Sequence, residues 1–149
     1  MNYLLDTCVI SELIKARPTN NVVRWVESIN ESFLFISVLT IGEILKGITK
    51  LPASKKRTTL QRWVYEDLYE RFAKRIIPIS IKIAGIWGEI QGKAEQEGET
   101  MPAIDSLIAA TAIAHDLTVV TRNTADIEKS GVSIHNPWNS QQVFFDNPL

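Results

Sequence analysis

One predicted helix constrains the fold of this chain more than any other segment. Residues 103–115 are apolar on nearly every side of a helix, and Pro102 suits its first turn. A helix without a polar face has to be covered on all sides. We therefore expect this helix to be buried against a sheet.

Short apolar segments alternate with helical patterns along the rest of the chain. The predicted strands are residues 2–5, 33–37, 75–79, 118–121 and 132–134. The predicted helices are residues 9–15, 22–29 with Asn20 or Asn21 as the cap, 40–50, 53–74, 80–98 with Ser80 as the cap, and 125–129. Strands that alternate with helices predict a parallel α/β sheet. A chain of 149 residues can bury one sizeable core, so we expect a single domain over 1–149 with its core in about 2–138.

The sequence does not indicate secretion or membrane insertion. No apolar run approaches the roughly 18 to 20 residues that a membrane span needs, and no basic leader precedes the first apolar stretch. The one cysteine, Cys8, has no partner for an internal disulfide, and no group of Cys and His has the spacing of zinc ligands. These observations predict a cytoplasmic protein with no membrane partner.

Positive charge is concentrated in one part of the sequence. The formal net charge is −1, which argues against a generally basic nucleic-acid binder. Residues 46–75, however, hold nine of the sixteen Lys and Arg residues and only three acidic ones. This segment is interpreted either as a solvated helix face or as a surface that follows a phosphate backbone.

Three acidic residues are placed where a parallel sheet builds its ligand sites. Asp6 directly follows the first predicted strand, and ligands bind beyond the carboxyl ends of such strands. Glu43 and Asp105 are expected in the first turns of helices that begin at the same edge. Carboxylates crowded together repel one another unless a cation joins them. A hard cation with oxygen ligands, Mg²⁺ or Mn²⁺, meets that requirement.

Each acidic residue also has a simpler explanation. Thr40 and Glu43 fit a capping box, in which the Glu43 side chain reaches back to the amide of Thr40. Asp105 near a helix start is favoured by the helix dipole, and Asp6 can cap the turn that follows its strand. The joint occurrence of all three at the matching edge favours a common site.

Several sequence motifs occur in a characteristic order. They occupy residues 4–12, 36–37 with 41–48, 103–112, 121–123 and 136–138. In these motifs, which span almost the whole chain, the sequence resembles the PIN-domain toxins of bacterial toxin–antitoxin pairs, often called VapC-like or FitB-like. The resemblance implies a PIN-like fold, an α/β fold with a parallel sheet that has helices on both faces.

The resemblance also implies an activity and its partners. It assigns Asp6, Glu43 and Asp105 as the carboxylates that bind Mg²⁺ or Mn²⁺ in an endoribonuclease. A toxin of this type would act on RNA, form a homodimer and be inhibited by a cognate antitoxin, and it would reach DNA only through that antitoxin. Candidate residues for the antitoxin contact are Leu13, Ile14, Val22, Val23 and Val26. Core packing explains these apolar residues equally well.

Two positions depart from the family pattern. Cys8 stands where Asn or Ser is common, which removes a polar group near Asp6. Asn123 stands where relatives often have a fourth acidic residue, and Asp126 follows three residues later. Either Asn123, through a metal-bound water, or Asp126 is predicted to complete the catalytic set. Asp126 alternatively only starts a short helix.

Substrate contacts and rival functions are predicted from the same residues. Thr7, Lys46, Lys50 and Arg122 are predicted to contact the RNA, the three cations through its phosphate backbone. Water is predicted to be the nucleophile, and Cys8 is interpreted as a small buried thiol. Two other functions fit the pattern: a catalytically inactive regulatory module that acts through a DNA-binding partner, and a nuclease for single-stranded DNA.

Overall fold

A parallel five-stranded sheet runs through the molecule. The structure, a computed structural model, describes residues 1–139. The strands are β1 (Tyr3–Leu5), β2 (Leu34–Ser37), β3 (Ile76–Ile77), β4 (Thr118–Val120) and β5 (Ile134–His135). Their order across the sheet is β3-β2-β1-β4-β5, and every neighbouring pair is parallel. The prediction of a parallel α/β sheet is confirmed.

Helices connect the strands on both faces of the sheet. They are α1 (Thr7–Leu13), α2 (Asn20–Ser28), α3 (Val38–Thr49), α4 (Lys55–Trp63), α5 (Tyr69–Arg71), α6 (Ile81–Gln96), α7 (Ala103–His115) and α8 (Thr124–Ile127). Leu5 and Val120 belong to an apolar cluster with residues of α1, α2 and α3. Their strand neighbours Leu4 and Val119 belong to a second cluster with residues of α6 and α7. Because successive strand residues face opposite sides, the sheet is covered on both faces, as the resemblance implies.

The apolar helix α7 is buried as its sequence predicts. Its bounds coincide with the predicted helix, and its buried residues are Ser106, Ile108, Ala109, Ala110, Thr111 and Ala112. The Ser106 hydroxyl accepts hydrogen bonds from Trp87 Nε1 at 3.0 Å and from Gln91 Nε2 at 2.7 Å, both on α6. The buried Ser106 hydroxyl thus has hydrogen-bond partners, as burial requires.

Helix α3 begins earlier than predicted because another hydroxyl residue caps it. The Ser37 side chain accepts a hydrogen bond from the amide of Leu39 at 3.0 Å, so the helix starts at Val38. The capping box with Thr40, which was the alternative explanation of Glu43, is therefore wrong, and so is the expected position of Glu43 in the first turn. Glu43 lies in the second turn of the helix, which leaves its carboxylate available for a contact elsewhere.

Other boundaries also differ from the prediction, among them those of α1, which covers Thr7–Leu13 instead of 9–15. The helix predicted over 53–74 starts at Lys55, and a π-helical turn, Val64–Leu68, separates α4 from α5. The last strand is Ile134–His135 instead of 132–134, because these two residues pair with β4.

The basic segment divides into a structural part and an exposed part. Arg71 and Arg75 both bind the Glu31 carboxylate, at 2.5 and 3.2 Å, and their guanidinium groups lie over the Phe72 ring. These two cations fasten α5 to the turn before β2. The exposed cations of α3 and α4 are Lys46, Lys50, Lys55, Lys56 and Arg62, which we refer to as the basic surface. The basic surface therefore contains only some of the cations of residues 46–75.

Three remaining expectations concern the surface and the extent of the domain. Val22 and Val26 are buried in the core, which explains their apolar character without an antitoxin. Within residues 1–139, no helix combines the length and the hydropathy that crossing a bilayer requires. Residues 140–149, and with them the predicted domain limit, lie outside the described residues.

Candidate active site

The strand order reverses between β1 and β4, which creates a crevice at their carboxyl ends. The connections that follow these two strands lead to opposite sides of the sheet, and open parallel sheets bind ligands at such a switch point. Asp6 directly follows β1, and Thr121 directly follows β4. Both side chains are buried. The sequence position of Asp6 after a strand therefore marks the switch point of the sheet.

Two short hydrogen bonds fix Asp6 in this crevice. Its side chain, 4% exposed, accepts from the Thr7 amide at Oδ1 and from the Thr121 hydroxyl at Oδ2, both at 2.8 Å. Burial raises the pKa of the Asp6 carboxyl, although these hydrogen bonds oppose the rise. The carboxylate is thus fixed in direction, but its negative charge is poorly compensated.

Thr7 joins Glu43 to the same crevice. Glu43 Oε1 accepts a hydrogen bond from the Thr7 hydroxyl at 2.5 Å, and Thr40 Oγ1 lies 3.3 Å from that hydroxyl. Thr7 therefore binds Asp6 with its amide and Glu43 with its hydroxyl. This arrangement gives Thr7 a positioning role between two carboxylates, and its predicted contact with substrate stays a prediction.

Asp105 reaches the crevice from the start of α7. A helix that leads into a parallel strand begins at the carboxyl edge of the sheet, and Asp105 lies in the first turn of α7, as predicted. Burial raises the pKa of Asp105 to about 6, and the negative charges of Asp6, Asp126 and Glu43 add to the rise. Asp105 is thus within electrostatic reach of the three other carboxylates.

Asn123 and Asp126 occupy different places at the rim of the crevice. The Asn123 amide donates to the Thr121 hydroxyl at 3.0 Å, and Asn123 is the N-cap residue of α8 without a capping bond from its side chain. Asp126 lies in the first turn of α8, and its charge contributes to the raised pKa of Asp105. The fourth negative charge at the crevice is therefore that of Asp126. A role for the Asn123 side chain stays a prediction.

Thr121 is a site residue that the sequence motifs do not predict as one. The predicted strand 118–121 includes it, whereas β4 ends at Val120 and leaves the Thr121 hydroxyl at the carboxyl edge. The Thr121 hydroxyl supplies a polar group next to Asp6, where the family commonly has the side chain of Asn or Ser at the position of Cys8. Cys8 Sγ lies 3.9 Å from Asp6 Oδ2 and 3.5 Å from Thr121 Oγ1. If the predicted strand had ended at Val120, a hydroxyl residue directly after it would have identified Thr121 as a site residue.

The donor set fits a hydrated magnesium or manganese ion. Within residues 1–139, no three carboxylate, imidazole or thiol groups stand close enough together to ligate one ion directly. Mg²⁺ retains several waters and is usually held by one or two carboxylates together with substrate phosphates. A set of carboxylate oxygens matches such an ion better than it matches zinc, which prefers nitrogen and sulfur.

The fold and the crevice agree with a known family. The PIN domain family model matches residues 3–129. The chain belongs to the PIN-domain family. This PIN domain is similar to VapC ribonuclease Y4jK from Sinorhizobium fredii, with 35% identity over 135 residues that cover 91% of this chain and 96% of the relative. It is also similar to Toxin FitB from Neisseria gonorrhoeae, with 36% identity over 136 residues that cover 91% of this chain and 98% of FitB.

A solved structure shows the same fold. The PIN domain is similar to a chain in the structure of FitAB bound to an IR36 DNA fragment, with a TM-score of 0.86 and 35% identity. The match covers 92% of this chain and 96% of the other. The predicted fold, a parallel sheet with helices on both faces, is confirmed as a PIN fold.

Proposed function

We propose that this PIN domain is a metal-dependent endoribonuclease and the toxin of a toxin–antitoxin pair, hydrolysing RNA phosphodiester bonds in the cytoplasm. One observation supports this most directly. Burial and three neighbouring carboxylates raise the pKa of Asp105 to about 6 at the switch point of the sheet. Such a concentration of negative charge favours a divalent cation. The names of two relatives, a ribonuclease and a toxin, agree with the proposal.

Asp6 and Asp105 would hold Mg²⁺ or Mn²⁺. Glu43 would support them, and Asp126 would add negative charge at the rim. When bound, such an ion neutralises charge on the scissile phosphate and lowers the pKa of a bound water. The contribution of Thr7 is to orient the site, because it fixes both Asp6 and Glu43.

Among the described residues of the crevice, no side chain is suited to attack phosphorus. Burial and the charge of Asp6 raise the pKa of the Cys8 thiol, so the thiol stays protonated near neutral pH. The Thr7 and Thr121 hydroxyls donate to carboxylates. Water is therefore the proposed nucleophile, and the reaction is direct hydrolysis without a covalent enzyme intermediate.

The basic surface and Arg122 are proposed to hold the RNA backbone. Lys46 follows Glu43 by three residues and lies on the same face of α3. Lys50 follows Glu43 by seven residues and lies at the end of this face, as the C-cap residue of the helix. Arg122 follows Thr121 at the rim of the crevice. Exposed cations on both sides of the carboxylates suit a phosphate backbone that crosses the site.

A cognate antitoxin is proposed as the inhibitor of this chain. The relative FitB is named as a toxin, and the similar FitAB structure is bound to DNA. By analogy, this chain would reach DNA only through its antitoxin. Copurification of a small partner from the native host, and restored nuclease inhibition when the partner is added back, would test this.

A homodimer is proposed on the basis of an exposed apolar face. Val38, Tyr65 and Tyr69 are exposed, and the two tyrosine rings lie 5.4 Å apart. A cavity of about 310 Å³ lies beside them, lined by Val38, Ile41, Tyr69 and Ile76. A second copy of this chain would cover this face. Sedimentation of the wild type and of Tyr69→Glu tests it, and a wild-type monomer at every concentration would contradict it.

The decisive experiment measures RNA cleavage by the wild-type chain, freed of antitoxin, in Mg²⁺, in Mn²⁺ and in EDTA. The site variants Asp6→Asn and Asp105→Asn are compared with Asp67→Asn, a control at an exposed acidic residue of the π-helical turn. We expect activity to be lost in EDTA and in both site variants, and to be retained in the control. Cleavage of single-stranded DNA in place of RNA would indicate a DNA nuclease. A wild type that is inert with every ion would indicate a regulatory module.

A further inference from the structure

Glu12 is a buried carboxylate outside the acidic crevice. It lies near the end of α1, and its side chain is 3% exposed. Glu12 Oε2 accepts hydrogen bonds from the amide and the hydroxyl of Thr19, at 3.0 and 3.3 Å. Thr19 is the N-cap residue of α2, in place of the predicted Asn20 or Asn21. This oxygen of Glu12 therefore fastens the start of α2 to α1.

The other oxygen of Glu12 faces two cations. Lys15 Nζ lies 3.0 Å from Oε1, and the Arg122 guanidinium lies 3.4 Å from it. Lys15 is a neighbour in sequence, whereas Arg122 comes from the far end of the chain and directly follows Thr121. Because Thr121 binds Asp6, the contact between Glu12 and Arg122 connects Glu12 to the rim of the crevice.

Trp138 also contacts the Arg122 guanidinium, which lies 4.6 Å from the centroid of the Trp138 ring. The Trp138 backbone is itself fixed, because its amide donates to Asn136 Oδ1 at 2.9 Å and its carbonyl accepts from Asn21 Nδ2 at 3.4 Å. A long side chain held by a carboxylate and a ring loses less rotamer freedom when it binds a ligand. Arg122 is still 54% exposed, so a ligand can reach it from solvent.

The position of Arg122 suits a phosphate of the RNA. Arg122 directly follows Thr121, whose hydroxyl donates to Asp6 Oδ2 at 2.8 Å. Guanidinium groups bind phosphates through paired hydrogen bonds with defined geometry. An RNA strand whose scissile phosphate lies at the carboxylates carries further phosphates on both sides of it, and one of them would lie at this rim.

We propose that Glu12 and Trp138 are positioning residues, which hold Arg122 ready to bind a phosphate next to the scissile one. This inference rests on the proposed ribonuclease function and adds to it the residues that orient a substrate-binding group. The alternative is a structural role, in which the same contacts only fasten Trp138 and the start of α2 to the core. Binding of phosphate by Arg122 distinguishes the two roles.

A double-mutant cycle on RNA cleavage tests the positioning role. KM and kcat are measured over a range of salt concentrations for Arg122→Ala, for Glu12→Gln and for the double variant. We expect Arg122→Ala to raise KM about tenfold with little change in kcat. It should also reduce the slope of log KM against log salt by about 1. Glu12→Gln should raise KM about threefold in the wild-type background and have no effect when Arg122 is already Ala.

Additional variants separate positioning from folding. Lys15→Gln removes the other cation from Glu12 and should leave KM unchanged. Trp138→Phe keeps a ring beneath the guanidinium and should retain the wild-type KM, whereas Trp138→Leu should raise KM about threefold. Thermal unfolding of each variant shows whether it is folded. If Glu12→Gln does not fold, the two Trp138 variants decide the outcome.

The results also separate this inference from the proposed function. If the wild type cleaves RNA while Arg122→Ala leaves KM and the salt slope unchanged, the inference is wrong and the ribonuclease proposal stands. An equal effect of Glu12→Gln in both backgrounds would show that Glu12 acts through the fold, which overturns its positioning role. A wild-type chain that cleaves no RNA with any ion would overturn both proposals.

Discussion

Asp6 and Glu12 lie near the two ends of helix α1 and are both buried, yet their surroundings differ in electrostatic character. Glu12 forms ion pairs with Lys15 and Arg122, and hydrogen bonding from Lys15 lowers the pKa of Glu12. Asp6 accepts only from neutral donors within residues 1–139 and forms no ion pair there. Burial raises its pKa. Among the described residues, cations form ion pairs with Glu12 and none forms an ion pair with Asp6.

This contrast shows that burial alone does not identify a functional carboxylate. A buried charge is costly unless an opposite charge or hydrogen bonds compensate it. Around Glu12, Thr19 and two cations provide this compensation. Around Asp6, the negative charges of Glu43 and Asp105 increase the cost. The lack of an ion pair between Asp6 and any described residue is therefore the more informative property.

The largest difference between the two carboxylates is expected in metal binding. Asp6→Asn should weaken Mn²⁺ binding and RNA cleavage by about 100-fold, because it removes a fixed negative charge from the proposed ion site. Glu12→Gln is chemically equivalent but should leave the Mn²⁺ affinity unchanged. Isothermal titration with Mn²⁺ measures both affinities. Equal losses in the two variants would remove the distinction drawn between the two residues.

The effect on stability, in contrast, should be larger at Glu12 than at Asp6. Glu12→Ala removes the acceptor of the Thr19 amide and hydroxyl, and should lower the free energy of unfolding by about 2 kcal/mol. Asp6→Asn keeps a capping oxygen for the Thr7 amide and should not destabilise the metal-free chain. Urea unfolding in EDTA measures both changes. A loss in Asp6→Asn as large as that in Glu12→Ala would contradict this expectation.

The third prediction concerns the effect of Asp105 on the pH dependence of stability. Its pKa is about 6 in the folded chain and near 3.8 when unperturbed, so the folded state binds more protons between these values. The metal-free protein should therefore lose stability as the pH rises from about 4 to about 6. Asp105→Asn should reduce this loss and raise the free energy of unfolding at neutral pH by about 1 kcal/mol, allowing for solvent screening.

Thermal unfolding of wild type and Asp105→Asn across this pH range measures the effect, with an expected difference in Tm of about 3 °C at neutral pH. Added Mn²⁺ should stabilise the wild type at neutral pH and much less in acid, since protons compete for the same carboxylates. If the stability of the wild type does not fall relative to that of Asp105→Asn as the pH rises, the pKa of Asp105 is not perturbed.

The smallest effect is expected for Lys15. This side chain is 55% exposed, and without it Glu12 still has Thr19 and Arg122 as partners. Lys15→Gln should therefore lower the free energy of unfolding by about 0.5 kcal/mol or less. Urea unfolding measures it. A loss close to that of Glu12→Ala would mean that Lys15 is the main partner of the buried carboxylate.

Features with a strong local signal could be predicted from the sequence. Helix α7 has the predicted bounds because its residues are apolar on every side and Pro102 precedes them. The places of Asp6 after β1 and of Asp105 in a first turn follow from similarly local patterns. The cap of α3 was predicted wrongly because Ser37 and Thr40 are both hydroxyl residues before the helical pattern. Local sequence does not show which of them ends the strand.

Contacts between distant parts of the chain could not be predicted in this way. Thr121 binds Asp6 across 115 residues, and Arg122 contacts Glu12 across 110. Both contacts depend on β1 and β4 being neighbours in the sheet, although two other strands lie between them in sequence. The motifs contain all four residues, but only the strand order shows which of them meet.

The pairing of β1 with β4 also has a consequence for the synthesis of this protein. Asp6 is among the first residues that a ribosome makes, but the Thr121 hydroxyl that fixes it is added only after β4 has been translated. A chain that stops before Thr121 therefore has Asp6 and Glu43 without the hydroxyl that fixes Asp6. An activity that depends on this crevice therefore requires a chain that has been synthesised beyond β4.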